Sequence, residues 1–181
     1  VLMAPTLNHV QDVEGESTEF SFTRFYVPLL MNYTGYGMFC DNDFLWRVDP
    51  REISRYLDNK PLAVVKHEDY EAKSNKMDGV VNKSYPKKNW SSLMLFDCAK
   101  LKTKLSKEYL DNATPSQLHE FKFLNEKEIG EIPKRYNMLV GIDKCTKENS
   151  RALHYTMGGP WFDEYKNCEM SEEWWKIYET L

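Results

Sequence analysis

The chain has 181 residues, 41% of them hydrophobic and 14% aromatic, which is enough for one globular domain over residues 1–181 and excludes a disordered chain. Its net charge of −4, without a long basic run, argues against nucleic acid as the main partner. No apolar run is long enough to span a membrane and no secretory signal opens the chain, so the expected location is the cytoplasm.

Short apolar runs predict the strands, and capping residues predict the helices. In chain order, the predicted strands are 1–7, 36–40, 62–65, 93–96, 138–142 and 151–156. The predicted helices begin near Ser17, Asp49, Thr114 and Ser171, where a side chain can cap the first turn. Residues 70–88 are polar and rich in lysine, which indicates a long loop, and residues 129–133 resemble a turn. No internal repeat or domain boundary is visible.

Helical periodicity predicts which side chains face the core. In the first helix, which Pro28 should bend, these are Phe20, Val27, Leu30 and Met31. In the helix at Thr114 they are Leu118 and Phe121, so that His119 and Glu120 should be solvated. In the last helix they are Trp174, Ile177 and Tyr178.

The four cysteines are Cys40, Cys98, Cys145 and Cys168. None forms a C-x-x-C pair, which argues against a structural zinc site. Cys40 and Cys98 each close an apolar run, which is typical of a buried free thiol. The sequence therefore predicts free cysteines and a reducing compartment.

Two carboxylates, Asp41 and Asp43, directly follow residues 36–40, which are predicted to form a short buried strand. In an open α/β sheet, the end of a strand is the usual place for chemistry, because side chains there face a crevice rather than the core. Two acids this close repel each other unless a cation or good solvation separates them, and their hard oxygen atoms suit Mg²⁺ or Mn²⁺, which can hold a diphosphate. The alternative is a polar turn with two solvated acids, and the motif alone favours it because such pairs occur by chance.

Other candidate residues are ambiguous when taken singly. Arg24 lies in an otherwise apolar helix, either as a paired or surface arginine or as a group that meets an anion near the two acids. His154 lies on the last predicted strand, where a lone histidine is usually a satisfied core or surface residue. It precedes Gly158 and Gly159, whose backbone N–H groups could approach a phosphate.

Several segments, taken in order, resemble a small bacterial and viral group of GT-A glycosyltransferases that is similar to the glycogenin-like retaining enzymes. The segments are FTRFYVP (22–28), GYGMFCDND (35–43), KH (66–67), KNWSSLMLF (88–96), GEIP (130–133) with Asn137, and LHYTMGGP (153–160). Each segment is weak, but their joint order over roughly residues 18–165 is fairly specific. The resemblance implies an α/β fold, a GT-A-like mixed sheet flanked by helices, with a shortened N-terminal βα unit.

The resemblance also implies a metal centre. Asp41 and Asp43 match the family's Asp-x-Asp motif, which binds Mn²⁺ and the donor diphosphate, and His154 matches the third protein ligand. An imidazole with two carboxylates suits Mn²⁺ better than Mg²⁺, which stays the alternative. Arg24 matches a helix arginine that faces the donor site.

Further roles follow from the same resemblance. Asn89, Ser91 and Ser92 match a segment that lines the sugar pocket, and Asn89 and Glu131 are the catalytic candidates, Glu131 as the acid under the transferred sugar, where Glu128 competes with it. The family's lysine before Pro-Trp is missing, so the amides of Gly158–Gly159 or a lysine of the 70–88 loop would grip the diphosphate.

The implied function is a Mn²⁺-dependent transfer of a sugar from a nucleotide diphosphate, a UDP-sugar by analogy, to a saccharide or other hydroxyl acceptor with retention. A viral origin would place it in the host cytoplasm, and a homo-oligomer is compatible with the sequence. The main alternative is a non-catalytic nucleotide- or carbohydrate-binding module, with Trp46, Trp90 and Trp161 as stacking platforms. A phosphatase with an aspartate nucleophile is disfavoured, because Leu45 stands where its motif needs threonine.

Overall fold

The computed structural model describes residues 20–68, 87 and 89–180. The predicted strand at 1–7, the start of the first helix near Ser17 and nearly all of the 70–88 loop lie outside these residues.

The described residues form seven short strands, five α-helices and several 3₁₀ helices. The strands are β1 (Tyr36–Cys40), β2 (Phe44–Trp46), β3 (Leu62–Val64), β4 (Leu93–Asp97), β5 (Ile129–Glu131), β6 (Met138–Leu139) and β7 (Ala152–His154). The α-helices are α1 (Phe20–Thr23), α2 (Val27–Leu30), α3 (Lys107–Asn112), α4 (Pro115–His119) and α5 (Ser171–Tyr178). Tighter 3₁₀ helices cover Arg24–Tyr26, Pro50–Leu57, Trp90–Ser92, Cys98–Leu101, Glu126–Glu128, Lys134–Tyr136 and Asp163–Tyr165.

The main sheet has four strands in the order β1–β4–β3–β5. Strand β4 runs antiparallel to both neighbours, and β5 runs parallel to β3. Phe39, Met94, Val64 and Glu131 lie in one row across the four strands. The C-terminal ends of β1, β3 and β5 therefore meet the start of β4 at one edge of the sheet.

A second sheet has three strands in the order β2–β7–β6. In its register, Phe44 of β2 and Leu139 of β6 both pair with His154 of β7. Strand β1 of the main sheet ends one residue before Asp41, and β2 of the second sheet begins one residue after Asp43. The turn that carries the two acids is thus the direct link between the two sheets.

The main sheet has an apolar layer on each face, as the alternation of its residues requires. On β3, Leu62 and Val64 face a layer that contains Phe25 and Phe121, whereas Ala63 faces the opposite layer, which is built around the helix Pro50–Leu57. Because β3 is buried on both faces, its sequence is a continuous apolar run, and this is why it could be predicted.

Helix α2 packs closely on β1 at Gly37. A β-carbon added there would lie 2.5 Å from Cγ1 of Val27, well inside van der Waals contact. Only glycine lets the helix approach this close. The approach brings the segment that contains Arg24 alongside the end of β1.

The local signals for helix starts are largely confirmed. Asp49 caps the helix Pro50–Leu57 by accepting the N–H of Arg51, and Thr114 and Gln117 form a reciprocal capping box on α4. The first helix is split by the 3₁₀ turn Arg24–Tyr26, next to Pro28, which has no N–H to bond the preceding turn. All four cysteines are free, as predicted.

Several predictions of burial and structure type are wrong. Strand β1 is an edge strand rather than a buried one, and Tyr36 is 67% exposed. Residues 129–131 form strand β5 rather than a turn, because they pair with β3. Leu30 is exposed, since α2 ends on the surface.

The last helix also differs from its prediction. Ser171 is the first residue of α5 rather than its cap, which is Met170 in a left-handed conformation. Trp174 packs against the small core of the second sheet, as predicted, whereas Ile177 and Tyr178 are exposed. Within the described residues, no helix combines the length and the apolar character needed to cross a bilayer.

Candidate metal centre

The structure brings the three predicted metal ligands together. Asp41, Asp43 and His154 each offer one ligand atom, and these atoms lie within 4.8 Å of one another. Nε2 of His154 is 3.2 Å from Oδ1 of Asp43 and 4.0 Å from Oδ2 of Asp41. The proximity follows from the register, because His154 pairs with Phe44, the residue after Asp43.

A chain of hydrogen bonds fixes the orientation of the His154 ring. The hydroxyl of Ser92 donates to the carbonyl of Asn89 (2.6 Å), so it accepts from Nδ2 of Asn137 (2.8 Å). The amide oxygen of Asn137 therefore faces Nδ1 of His154 at 3.0 Å and accepts its proton. Asn137 is completely buried, which leaves its amide no other arrangement that satisfies both neighbours.

The consequence is that Nε2 is the ring nitrogen of His154 that faces the two carboxylates, where it can carry a proton or bind a cation. Two acceptors at 3.2 Å, Nε2 and Oδ1 of Asp43, repel each other unless a proton or a cation lies between them. Two carboxylate oxygens and an imidazole nitrogen are a donor set for a divalent metal. The ring of Phe44 stacks on His154 with its centroid at 4.5 Å and blocks other orientations. The residues present fit a metal ion.

Asp43 is held in its ionised form. Burial works to raise its pKa, but the hydrogen bond and charge of His154 and the charge of Arg24 outweigh burial, so the pKa lies below its usual value. The Asp43 side chain is 23% exposed, whereas its Oδ1 atom, which faces His154, is buried.

Arg24 holds the other carboxylate. One of its terminal nitrogens lies 2.9 Å from Oδ1 of Asp41, and the other donates to the carbonyl (3.0 Å) and the hydroxyl (3.2 Å) of Ser91. Its guanidinium also lies over the ring of Phe39, and only 11% of the side chain is exposed. Arg24 is therefore a paired and largely buried arginine beside Asp41 rather than a surface one, and its contact with an anion stays a prediction.

Sequence reasoning missed His119, which was expected to be solvated and is 8% exposed. The Ser91 hydroxyl accepts a hydrogen bond from Arg24 and forms a second one with Nδ1 of His119, 3.0 Å away. His119 packs edge-on to Phe25. It is a buried support for Ser91 and, through Ser91, for Arg24. No sequence signal separates such a histidine from a solvated one on the same helix.

The segment that leads into β4 connects these groups. Asn89 has a left-handed backbone (φ 65°), which asparagine tolerates better than most residues, and it precedes the 3₁₀ turn Trp90–Ser92. The carbonyl of Ser92 accepts the backbone N–H of Asp41 at 2.9 Å. Ser91 is thus hydrogen-bonded to Arg24, and Ser92 is hydrogen-bonded to Asp41 and Asn137.

The predicted phosphate-binding glycines lie in the turn after β7. The N–H of Gly158 donates to the carbonyl of Tyr155 at 2.8 Å, so that N–H is used inside the turn. A β-carbon added at Gly159 would overlap the ring of Trp161, which fills the space that a side chain would need. Gly159 is therefore the remaining candidate for a backbone contact to a phosphate.

Glu131 lies exposed at the C-terminal end of β5. It lines a groove with Arg55, Tyr56 and Lys60. It is three strand positions from Phe39 at the end of β1, or about 14 Å at about 4.8 Å per strand. It shares the sheet edge with the metal ligands without adjoining them.

The competing acid, Glu128, has a structural role. Its carboxylate caps the turn at Asn125 by accepting the backbone N–H and also bonds Lys104. These contacts lower its pKa, the backbone hydrogen bond from Asn125 most of all. Glu128 is therefore committed to the fold, and Glu131 remains the open carboxylate of the two.

Comparison with known proteins shows what this fold is similar to. A scan against models of known protein families finds no match. Protein CDI of Arabidopsis thaliana is 44% identical over 165 residues, which cover 88% of this chain and 64% of that protein. The chain thus spans less than two thirds of this relative, which comes from a plant rather than from a bacterium or virus.

Three solved structures share the fold at low sequence identity. The bifunctional glycosyltransferase WbbM matches with a TM-score of 0.57 and 15% identity, over 90% of this chain and 38% of its own. The glycosyltransferase GlyE of Streptococcus pneumoniae matches at 0.52 and 14%, over 86% and 42%. An active-site mutant of LgtC matches at 0.52 and 14%, over 89% and 67%. The predicted glycosyltransferase fold, a mixed sheet flanked by helices, is confirmed.

Proposed function

We propose that this chain transfers a sugar from a nucleotide diphosphate donor to a hydroxyl acceptor, with a divalent cation held by Asp41, Asp43 and His154. The observation that carries the proposal is the convergence of these three ligands at the edge of a sheet whose fold is that of glycosyltransferases. The donor set, with one imidazole, favours Mn²⁺ over Mg²⁺. The sequence resemblance favours a UDP-sugar and a saccharide acceptor.

Such a cation would offset the negative charge that develops on the leaving diphosphate as its bond to the sugar breaks. The protein's part is positioning. Asn137 keeps Nε2 of His154 directed at the site, and Arg24 holds Asp41 in place. Because these ligands are oriented before any donor arrives, little reorganisation accompanies binding.

The sugar would lie along the sheet edge beyond the metal ligands. Asn89, Ser91 and Ser92 are proposed to line it, and Glu131 is proposed to face the positive charge that develops on the sugar. With retention of configuration, Glu131 would stabilise this charge from the face opposite the diphosphate. The single domain, the cytoplasmic location and the oligomeric state stay predictions.

The test is Mn²⁺-dependent hydrolysis of donors in the absence of an acceptor, with UDP-glucose, UDP-galactose and GDP-mannose as probes. We expect slow release of the nucleotide diphosphate from one of them, and its loss with chelator. Asp43→Asn should lower the rate of hydrolysis by about 100-fold or more. Substituting a residue that only orients a metal ligand already lowers metal affinity or activity 10- to 100-fold, and this variant changes a proposed ligand itself.

Asp49→Asn is the matched control, because Asp49 is a nearby acid that caps a helix and pairs with the exposed Arg51, and asparagine also caps. This variant should keep the wild-type rate. Wild-type activity in Asp43→Asn would contradict the proposal. Mn²⁺-dependent binding of donors without any hydrolysis would leave a binding module instead of an enzyme.

A further inference from the structure

His67 is a buried side chain without a hydrogen-bond partner. It is only 4% exposed, and within the described residues neither Nδ1 nor Nε2 has a partner. A buried polar group left unpaired lowers stability, so most such groups in proteins are paired. An apolar ring of similar shape at this position would avoid this loss of stability, yet the sequence has an imidazole there. This points to a partner that the described residues do not supply.

The position of His67 is fixed from both sides. Its N–H donates to the carbonyl of Val65 at 3.1 Å, which closes a tight turn after β3, and its carbonyl accepts Nε1 of Trp90 at 2.8 Å. Trp90 directly precedes Ser91 and Ser92, the residues that support the metal centre. His67 therefore lies at the same sheet edge, two strands from β1, or about 10 Å.

The ring of His67 is uncharged, because burial opposes its protonation. Burial lowers its pKa to about 4, the charge of Asp143 works against this shift, and the charges of His154 and Lys134 add to it. The ring is neutral at neutral pH, with one N–H donor and one acceptor nitrogen. It offers a phosphate no positive charge. It is also not part of the three-ligand group formed by the described residues.

We infer that His67 binds a hydroxyl group of the transferred sugar in the donor, donating one hydrogen bond to the hydroxyl oxygen and accepting one from its proton. A hydroxyl group is the ligand that satisfies both nitrogens of a neutral imidazole at once. The inference rests on the proposed function and adds to it a residue that recognises the sugar. A site built to bond a hydroxyl discriminates strongly against donors that lack it in the right place.

The experiment compares sugar donors with the matching nucleotide alone. Calorimetry in Mn²⁺ would measure the affinities of UDP, UDP-glucose and UDP-galactose, and of GDP and GDP-mannose, for the wild type, His67→Phe and His67→Gln. In the wild type we expect one sugar donor to bind more tightly than its bare diphosphate. In His67→Phe this advantage should fall about tenfold, while the affinity of the diphosphate changes less than about twofold.

His67→Gln keeps a donor and an acceptor and should lose less of the advantage than His67→Phe. His67→Gln therefore still tests the inference if phenylalanine distorts the site. The thermal midpoint of each variant without ligand shows whether that variant folds. An unchanged sugar advantage in both variants would overturn the inference, and so would equal affinities of the wild type for every diphosphate and its sugar donor. No Mn²⁺-dependent binding of any probe would overturn the proposed function, and the inference with it.

Discussion

Two regions of the same sheet edge differ in how their polar groups are satisfied. At the end of β1 and the start of β4, hydrogen bonds run without a break from Asn89 through Ser92 and Asn137 to His154. At the end of β3, the imidazole of His67 is buried and has no partner among the described residues.

The difference separates two kinds of binding. A cation needs ligands that are already oriented, because its coordination geometry is strict and its charge strong. A sugar hydroxyl needs a group that is free to pair. The region around His154 therefore fits the proposed cation, and the region around His67 fits the proposed sugar hydroxyl. Each of the following substitutions alters one part of this sheet edge and leaves the other parts unchanged.

The largest expected effect on stability is that of Arg24→Met. The variant removes the ion pair with the half-buried Asp41 and the hydrogen bonds to Ser91, so the free energy of unfolding in chelator should fall by about 3 kcal/mol. Urea denaturation measures it. Arg55→Met is the control, since the Arg55 pair with Glu52 is exposed and 4.0 Å long, and its loss should cost at most about 0.5 kcal/mol. Equal midpoints for the two variants would show that Arg24 does not stabilise the site.

A smaller effect is expected from Asn137→Ala. It removes the acceptor of the His154 Nδ1 proton and the donor to Ser92, at about 2 kcal/mol of stability. Without a fixed ring orientation, Mn²⁺ affinity should fall 10- to 100-fold. Calorimetry with Mn²⁺ and a nucleoside diphosphate measures the affinity. Asn112→Ala removes an exposed amide hydrogen bond on α3 and should leave that affinity unchanged. A wild-type affinity in Asn137→Ala would contradict the orienting role.

The acid sensitivity of the His67 region gives a third prediction. The pKa of His67 is lowered from 6.5 to about 4 in the folded protein, so between these values the unfolded chain takes up a proton that the folded chain does not. The wild type should therefore lose about 1.4 kcal/mol of stability for each unit that pH falls in this window, relative to His67→Phe. Urea denaturation at pH 7, 6 and 5 checks this. Parallel stability curves for the two proteins would show that His67 is not a buried neutral imidazole.

The smallest effect on stability is expected at the far end of the edge, from Glu131→Gln. Glu131 is exposed, so the unfolding midpoint should not change, while donor hydrolysis should slow without a loss of donor affinity. Glu128→Gln should lower the unfolding midpoint and leave the rate of donor hydrolysis unchanged, because the Glu128 carboxylate caps Asn125 and pairs with Lys104. A normal rate in Glu131→Gln would remove it as the acid under the sugar.

The parts of the fold that could be predicted from sequence have local causes. Strands β3 and β4 are continuous apolar runs because both faces are covered, and the helix starts at Asp49 and Thr114 are set by side chains within three residues. Strand β5 could not be predicted, because its Ile-Gly-Glu sequence becomes a strand only by pairing with β3, far away in the chain.

The candidate site divides in the same way. The three proposed metal ligands are predictable because Asp-x-Asp and the histidine form part of an ordered set of motifs. The supporting residues were not found, since the burial of His119 depends on its contact with Ser91 and that of His67 on the edge of the folded sheet. Asn137 was noticed in a motif, but its role depends on the register that places His154 beside it.

The most direct test of the central claim is anomalous diffraction at the manganese edge from crystals grown with Mn²⁺ and UDP. The account predicts one strong peak about 2 to 2.5 Å from a carboxylate oxygen of Asp41, one of Asp43 and Nε2 of His154. It also predicts that the hydrogen bond from His154 to Asn137 is kept. A peak elsewhere in the protein, or no peak at these three residues, would contradict the account.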